Sequence, residues 1–161
     1  MLDTSQSPTA LELRAIVRSM LARLALEGEY TMSISILVVD DEPDMVELFK
    51  RKFRREIRSG DYSMYFAGSG EAALDVLGSD VGPELMLALS DINMPGMSGI
   101  ELVKETKKQW PDLPVAVITA YGDRENKGRA MEAGAADFLT KPIDFIELKN
   151  KIFDLIQSTD N

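Results

Sequence analysis

The sequence predicts an α/β fold, a doubly wound, five-stranded parallel sheet preceded by one extra N-terminal helix. Short apolar runs alternate five times with segments of helical periodicity, and the connections between them are short. Four of the apolar runs end abruptly in acidic, hydroxyl or lysine side chains. This alternation is typical of βα units, and the uninterrupted apolar runs are typical of strands buried on both faces of a parallel sheet.

The composition narrows the possible functions. The chain has 161 residues, a net charge of −9, and neither cysteine nor histidine. The missing residue types exclude disulfides, zinc–thiolate sites and histidine general bases, so any metal must be hard and bound by oxygen. The acidic charge argues against nucleic acid and anionic membranes as partners. No apolar run approaches about 18 residues, and the first residues do not resemble a signal peptide, so we expect a cytoplasmic protein.

Residues 1–32 are predicted to be an extension that contains one helix at about residues 10–27. Thr9 and Glu12 have the spacing of a capping box, and Gly28 is a typical C-terminal stop. The apolar seam has the spacing of paired helices: Leu13, Val17, Met20 and Leu24. The helix can dock on its own domain or pair with a second copy of the chain, and we favour pairing.

The five βα repeats occupy residues 33–157, the predicted main domain, and residues 158–161 form a tail. Strands are predicted over residues 34–39, 62–67, 85–90, 114–119 and 137–140. Helices are predicted from 43 to near 60, around 71–77, over 99–110, over 123–133 and from 144 onward. The first, third and fourth strands are the most apolar and belong at the centre, which gives the flavodoxin-like order 2-1-3-4-5.

A basic run occupies one face of the first helix of the main domain. Six of the nine residues from 50 to 58 are lysine or arginine. Such a run is usually a solvated face, and that is the interpretation we favour. A docking surface for an acidic partner is the alternative.

Polar residues from four strands are predicted to meet at the carboxyl edge of the sheet, where doubly wound folds bind ligands. They are Asp40 and Asp41, Asp91, Thr119, and Lys141. Three adjacent carboxylates repel one another unless a cation compensates them, and magnesium prefers carboxylate and phosphoryl oxygens. Asp91 is then a candidate nucleophile for phosphoryl transfer, with Thr119 and Lys141 available to bind phosphoryl oxygens.

These residues belong to motifs that resemble those of the two-component response-regulator receiver (CheY-like) domain. The resemblance covers about residues 33–156, and its motifs occur in the order that the family has. They are Asp40-Asp41, the loop Asp91-x-x-x-Pro95-x-x-x-Gly99, Thr119-Ala120, Phe138 and Lys141-Pro142. Each motif alone is weak, but five in order at predicted strand ends are specific.

The resemblance implies a phosphorylation-dependent signalling switch. Asp91 would accept a phosphoryl group from a histidine kinase or a phosphotransfer protein. Mg²⁺ would be bound by Asp40, Asp41, Asp91 and the backbone carbonyl of Asn93, and Lys141 would pair with the phosphoryl group. The only enzymatic steps would be self-phosphorylation from a phosphodonor and slow autodephosphorylation.

The resemblance also implies how the state of the site would be transmitted. Thr119 would move toward the phosphoryl group, and Phe138 would turn inward into the vacated space. Asn93 and Tyr121 occupy positions that tune dephosphorylation in the family, and a cis Lys141-Pro142 bond is expected. The signal would pass to a downstream protein partner, with a homodimer possible through the N-terminal helix or the last two helices.

Other functions remain open from the residues alone. A receiver-like interaction or dimerisation module of a larger signalling protein would need no phosphorylation, although the intact acidic cluster argues against it. A haloacid-dehalogenase-like phosphatase also uses magnesium and an aspartate nucleophile, but its nucleophile opens an Asp-x-Asp motif after the first strand. Asp40-Asp41-Glu42 stands there instead, and these charges would also repel the phosphate of a flavodoxin-like FMN carrier.

Overall fold

The computed structural model describes residues 8–28 and 33–157. Helix α1 (Ala10–Leu26) belongs to one compact unit, and all the other elements belong to a second. The strands are β1 (Ile34–Val39), β2 (Tyr62–Ala67), β3 (Leu87–Asp91), β4 (Val115–Thr119) and β5 (Asp137–Thr140). The helices of the second unit are α2 (Pro43–Lys52), α3 (Arg54–Ser59), α4 (Gly70–Leu77), α5 (Gly99–Gln109), α6 (Arg124–Ala133) and α7 (Phe145–Gln157). In these two ranges, no helix is both long and apolar enough to span a bilayer.

The five strands form one parallel sheet in the order β2-β1-β3-β4-β5, which confirms the predicted topology. The most apolar strands are central, and every residue of β3 and β4 is buried. In the register of the sheet, Asp91 pairs with Ile118, and Thr119 pairs with Thr140. The carboxyl ends of β3, β4 and β5 therefore meet at one edge.

Helix α1 has the termini that the sequence predicted. The backbone N–H of Glu12 donates to Oγ1 of Thr9 at 3.2 Å, and that of Thr9 donates to Oε2 of Glu12 at 2.7 Å. Gly28 adopts a φ of 75° just after the helix. Four apolar side chains of α1 are about half exposed, namely Leu13, Ile16, Val17 and Met20. Residues 29–32 of the predicted extension lie outside the described residues.

The helix predicted from residue 43 to near 60 is in fact two helices, because Phe53 leaves helical geometry with φ −104° and ψ 13°. Its ring is fully buried and packs against the rings of Phe49, Tyr62 and Phe145. The break lets one side chain fill the core between two helices. The predicted stop is confirmed, since Gly60 follows α3 in the left-handed region with φ 82°.

Strand β3 starts two residues later than predicted and includes Asp91. Leu85 and Met86 are buried, but they follow a 3₁₀ turn at Gly82–Glu84 and precede the paired strand. An apolar run in a sequence indicates which residues are buried. Here the buried segment begins at Leu85, two residues before the paired strand. Asp91 is thus the last residue of a central strand rather than the first residue of a loop.

Candidate functional site

Three aspartates meet at the carboxyl edge of the sheet, as the sequence predicted. Asp40 and Asp41 follow β1, and Asp91 ends β3. One carboxylate oxygen of each lies within 4.8 Å of those of the other two. Asp40 and Asp91 are almost fully buried, whereas Asp41 is exposed. The cluster is therefore open on one side and closed by the sheet on the other, a geometry in which a metal ion can be held.

Asp40 is a buried carboxylate of which only one oxygen has a hydrogen-bond partner in the described part of the chain. Its Oδ1 accepts a hydrogen bond from the backbone N–H of Glu42 at 2.9 Å, while its buried Oδ2 has no partner among the described residues. Burial raises the pKa of Asp40, and the charge of Asp91 raises it further, against the opposing effects of the Glu42 N–H and of Lys141. An unpartnered buried carboxylate oxygen fits the demand of a hard divalent cation for oxygen ligands.

Asp91 is held from two sides. Its Oδ1 accepts from the backbone N–H of Asn93 at 3.3 Å, and its Oδ2 accepts from Nζ of Lys141 at 3.1 Å. Burial opposes the charge of Lys141, but the hydrogen bond and charge of Asp91, together with Asp40 and Glu42, outweigh burial and raise the pKa of Lys141. The lysine is therefore charged, and it compensates part of the acidic cluster.

Lys141 reaches the site from the loop after β5. The Lys141-Pro142 peptide bond is cis, as expected, and the backbone N–H of Lys141 donates to the carbonyl of Thr119 at 2.8 Å. Asp144 caps the following helix by accepting from the N–H groups of Ile146 and Glu147. These contacts fix both ends of the loop that carries the lysine.

The loop from Asp91 to Gly99 is anchored by contacts that the sequence did not reveal. A Cβ atom on Gly99 would lie 2.3 Å from the carbonyl oxygen of Asp91, so only glycine permits this close return of the chain. Glu71 of α4 accepts from the backbone N–H of Met97 at 3.1 Å. The Asp-x-x-x-Pro-x-x-x-Gly motif signalled the glycine, but nothing in the sequence signalled Glu71.

Thr119 and Phe138 lie next to the cluster and line one surface pocket with Tyr121 and Thr140. The hydroxyl of Thr119 is buried and donates to the carbonyl of Leu139 at 3.3 Å. The ring of Phe138 is partly buried, and Nζ of Lys127 lies 3.6 Å from its centroid. Tyr121 is 89% exposed. Thr119 thus makes the strand-end backbone hydrogen bond that is its ordinary structural role.

The aspartate pair after β1 does more than start a helix. Helix α2 has Glu42 as its N-cap residue, and no side-chain hydrogen bond caps it. Asp40 instead bonds Glu42 within the turn, and Asp41 points to the exposed side of the cluster. Neither aspartate therefore serves as a side-chain cap of α2.

Comparison with known proteins agrees with this geometry. The sequence profile of the response regulator receiver domain matches residues 36–153. Response regulator MprA of Mycobacterium tuberculosis H37Rv is 34% identical over 128 residues, which are 80% of this chain and 53% of the relative. Response regulator protein PilR of Pseudomonas aeruginosa is 36% identical over 119 residues, 72% of this chain and 24% of the relative. The chain thus spans about half the length of MprA and about a quarter of PilR.

Solved structures show the same relationship. A response regulator receiver domain protein from Clostridium thermocellum superposes with a TM-score of 0.70 at 27% identity, covering 78% of this chain and 95% of that one. The receiver domain of NtrX from Brucella abortus gives 0.67 at 31% identity, covering 76% and 98%. The phosphatase and flavin-carrier alternatives receive no support from any of these matches. With its sheet order, acidic cluster and sequence relatives in agreement, the chain belongs to the response regulator receiver domain family, a family of phosphorylation-dependent signalling switches.

Proposed function

We propose that Asp91 is the phosphoacceptor of this receiver domain, and that a histidine kinase or a phosphotransfer protein is its donor. The observation that carries the proposal is the pairing of Asp91 with Lys141 inside a cluster of three carboxylates. Asp91 ends a central strand, so its carboxylate is fixed at the edge of the sheet while remaining within reach of an incoming group.

The chemistry is a transfer of one phosphoryl group. A carboxylate oxygen of Asp91 attacks phosphorus, the P–N bond to the donor imidazole breaks, and the electron pair of that bond stays on the imidazole nitrogen. Lys141 places a positive charge beside the transferred group, and the N–H of Asn93 donates to the same carboxylate. Such a transition state needs positioning and charge compensation rather than a separate acid or base.

Asp40, Asp41, Asp91 and the backbone carbonyl of Asn93 are the proposed ligands of Mg²⁺. The unpartnered Oδ2 of Asp40 and the exposed carboxylate of Asp41 supply oxygens of the type this ion prefers. When bound, the ion supplies positive charge that offsets the carboxylates and the phosphoryl oxygens. Asn93 and Tyr121, both exposed beside the cluster, are the proposed determinants of dephosphorylation rate.

Thr119 and Phe138 are the proposed switch residues. Thr119 can exchange its hydrogen bond to the carbonyl of Leu139 for one to a phosphoryl oxygen, because its hydroxyl hydrogen can rotate about the Cβ–Oγ1 bond. Phe138 lines the same pocket and is only partly buried, and its ring would turn inward when Thr119 moves. The downstream protein partner would then recognise the face formed by α6, β5 and α7.

A homodimer through α1 is proposed for the extension at residues 1–32, with residues 33–157 as the receiver domain and 158–161 as a tail. Leu13, Ile16, Val17 and Met20 are about half exposed, and their spacing follows one helical stripe. The alternative dimer surface lies on the last two helices. Comparing the solution mass of the full chain with that of a chain starting at Met32 separates the two, because only pairing through α1 is lost on truncation.

The phosphoacceptor is tested by incubating the full chain with acetyl phosphate and Mg²⁺ and measuring its intact mass. One phosphoryl group is expected, stable in acid and labile in base, and absent from the Asp91→Asn variant. The matched control is Asp75→Asn, which removes an exposed aspartate on α4 and should label like the wild type. Full labelling of Asp91→Asn would reject this residue as the acceptor.

A further inference from the structure

A groove of about 880 Å³ lies between helices α2 and α3 on one side and α7 on the other. Six cationic side chains line it, and we call it the basic groove: Arg51, Lys52, Arg54, Arg55, Arg58 and Lys149. Helix α2 starts beside the acidic cluster, and Arg54 follows its end, so the groove lies roughly 16 Å farther along the helix at 1.5 Å per residue. It is a separate feature from the site at Asp91.

The charge of the basic groove is not balanced from within. Glu56 is the only acidic side chain among its lining residues in the described part of the chain. That carboxylate is already engaged, since Nζ of Lys149 lies 2.6 Å from its Oε1. Lys149 also donates to the carbonyl of Lys52, which joins α7 to α2 and fixes the floor of the groove. The remaining five cations are left without a carboxylate of their own in the groove.

Four of these cations form a stripe on one helical face. Arg54, Arg55 and Arg58 follow Arg51 by three, four and seven residues, and backbone hydrogen bonds continue the helical path across Phe53. Like charges at these spacings destabilise a helix. Within residues 8–28 and 33–157, neither Arg51 nor Arg54 nor Arg58 makes an ion pair, side-chain hydrogen bond or ring contact. Repulsion among these three arginines is therefore not offset by an ion pair in these ranges, although Arg51 and Arg58 lie in the last turns of α2 and α3, where the helix dipole favours cations.

A cluster of cations that find no carboxylate partner within the fold is the kind of local conflict that functional surfaces carry. We propose that the basic groove binds an acidic segment of a partner protein, with the arginine stripe pairing with its aspartate or glutamate side chains. Arginine suits this role because its planar guanidinium donates two parallel N–H hydrogen bonds to the two oxygens of a carboxylate. The proposal goes beyond phosphoryl transfer and does not depend on it.

The charge of the chain favours a short peptide over larger anionic partners. The six cations of the basic groove occupy a small, open depression rather than a whole face of the chain. The whole chain carries a net charge of −9, so a long polyanion such as DNA would be repelled by most of the surface that it covers. A short acidic segment meets only the groove, where the local charge is positive.

The test uses the full chain and a fluorescein-labelled glutamate peptide of about 12 residues, which spans roughly 40 Å when extended. Fluorescence anisotropy should show binding of this peptide and none of a glutamine peptide of equal length. Binding should weaken with added salt, because the screening length falls from about 10 Å at 0.1 M to about 3 Å at 1 M. A DNA duplex and phosphatidylserine vesicles are measured in parallel.

The deciding variant is Arg51→Gln/Arg54→Gln/Arg58→Gln, which should bind the glutamate peptide at least about tenfold more weakly at low salt. Its matched control makes the same change in net charge on exposed positions of α5 and α6: Lys104→Gln/Lys108→Gln/Arg129→Gln. The control should bind like the wild type, and Arg54→Gln alone should weaken binding in the same direction.

Three results would overturn the proposal. They are equal affinity of all variants for the peptide, no binding of the peptide by the wild type, and binding of DNA or vesicles in place of the peptide. Misfolding is separated by thermal unfolding, because removing like charges should leave the unfolding temperature of the groove variant unchanged or raised. Labelling by acetyl phosphate should also be unchanged, so failure here is distinct from failure at Asp91.

Discussion

Nζ of Lys141 lies 3.1 Å from Oδ2 of Asp91, although the two residues are fifty positions apart. Asp91 ends β3, Lys141 follows β5, and β4 lies between these two strands. The Asp91 side chain is 6% exposed and that of Lys141 is 29% exposed. The carboxylate is thus fixed in the sheet while the ammonium sits at the surface of the cluster. A lysine placed in this way can compensate the charge of Asp91 in the unphosphorylated protein. It can also pair with a phosphoryl group that is added to Asp91.

Replacing Lys141 with methionine should lower the free energy of unfolding, because a buried carboxylate loses its partner. We expect a loss of about 1–3 kcal/mol at neutral pH without divalent cations, measured by urea denaturation. The raised pKa of Lys141 means that the pair stabilises the fold at neutral pH and loses this effect as the pH rises through that pKa. The Lys141→Met deficit should therefore shrink in strongly alkaline solution.

The control for this experiment is Lys108→Met. Lys108 pairs with Glu105 at a similar distance of 3.2 Å, but its side chain is 71% exposed. Exposed pairs contribute about 0–1 kcal/mol, so this variant should be close to the wild type. Equal losses in the two variants would mean that the burial of Asp91 adds nothing to its pairing with Lys141.

Asp40→Asn should stabilise the protein in the absence of divalent cations and remove most of its response to Mg²⁺. The substitution removes a buried charge with an unpartnered oxygen, so we expect a gain of about 1–2 kcal/mol at neutral pH. A raised pKa means that the folded state holds the proton more tightly than the unfolded chain. Wild-type stability should therefore fall as the pH rises through the pKa of Asp40, and the variant should lack this fall.

The measurement is thermal unfolding with and without millimolar Mg²⁺, since an ion that binds only the folded state raises the unfolding temperature. Wild type should shift upward, and Asp40→Asn should shift much less. Asp75→Asn, an exposed substitution on α4, controls for general loss of negative charge. An Asp40→Asn protein that kept the full Mg²⁺ shift would remove Asp40 from the set of ligands.

The sequence predicted which residues meet at the edge of the sheet better than it predicted the contacts that hold them there. Asp40, Asp91, Thr119 and Lys141 were found because polar residues that end apolar runs must share one edge of a parallel sheet. That inference needs only the strand pattern, and the register of β3, β4 and β5 confirms it. Lys141 lies close enough to donate a hydrogen bond to Asp91 because both residues are at this edge.

The contacts that hold the site and the helices in place are tertiary contacts, and these leave no local pattern in the sequence. Glu71 reaches a backbone N–H twenty-six residues away, and any exposed glutamate in a first helical turn would look the same in the sequence. The break at Phe53 was missed because Phe49, Phe53 and Ile57 have the apolar spacing of one continuous helix, although Phe53 leaves helical geometry. The spacing of apolar residues indicates which face of a helix is buried. It does not indicate where one helix ends and the next begins.

Gly99→Ala should be strongly destabilising, because the added Cβ would overlap backbone atoms that cannot move independently. The Cβ would lie 2.3 Å from the carbonyl oxygen of Asp91 and 2.8 Å from Cα of Ile92. We expect a loss of about 2–4 kcal/mol, in the range of core overpacking and backbone strain. Chemical denaturation measures the loss, and acetyl phosphate labelling should slow with it because the same contact positions Asp91.

Gly122→Ala is the matched comparison. Gly122 has a φ of 84°, but a Cβ there would meet no atom within 4 Å. The cost is then only the left-handed backbone, about 1 kcal/mol. A Gly99→Ala variant no less stable than Gly122→Ala would show that the loop can move away from the end of β3.

Lys149→Met should destabilise the protein at neutral pH and much less in acid. The hydrogen bond from Lys149 holds the pKa of Glu56 below its usual value. A lowered carboxyl pKa adds stability above the usual value of about 4.5, and this stability is lost as the pH falls through the lowered pKa. We expect a deficit of about 1–2 kcal/mol at neutral pH, since both side chains are at most one-third exposed and the carboxylate would lose its partner.

Urea denaturation at pH 7 and near pH 3 measures this deficit, and the difference between the two pH values is the decisive quantity. Lys50→Met is the control, because its pair with Glu47 is longer, at 3.7 Å, and both side chains are more than half exposed. That variant should match the wild type at both pH values. A Lys149→Met deficit of the same size at both would mean that this lysine stabilises the fold by packing against Phe53 rather than by holding Glu56 ionised.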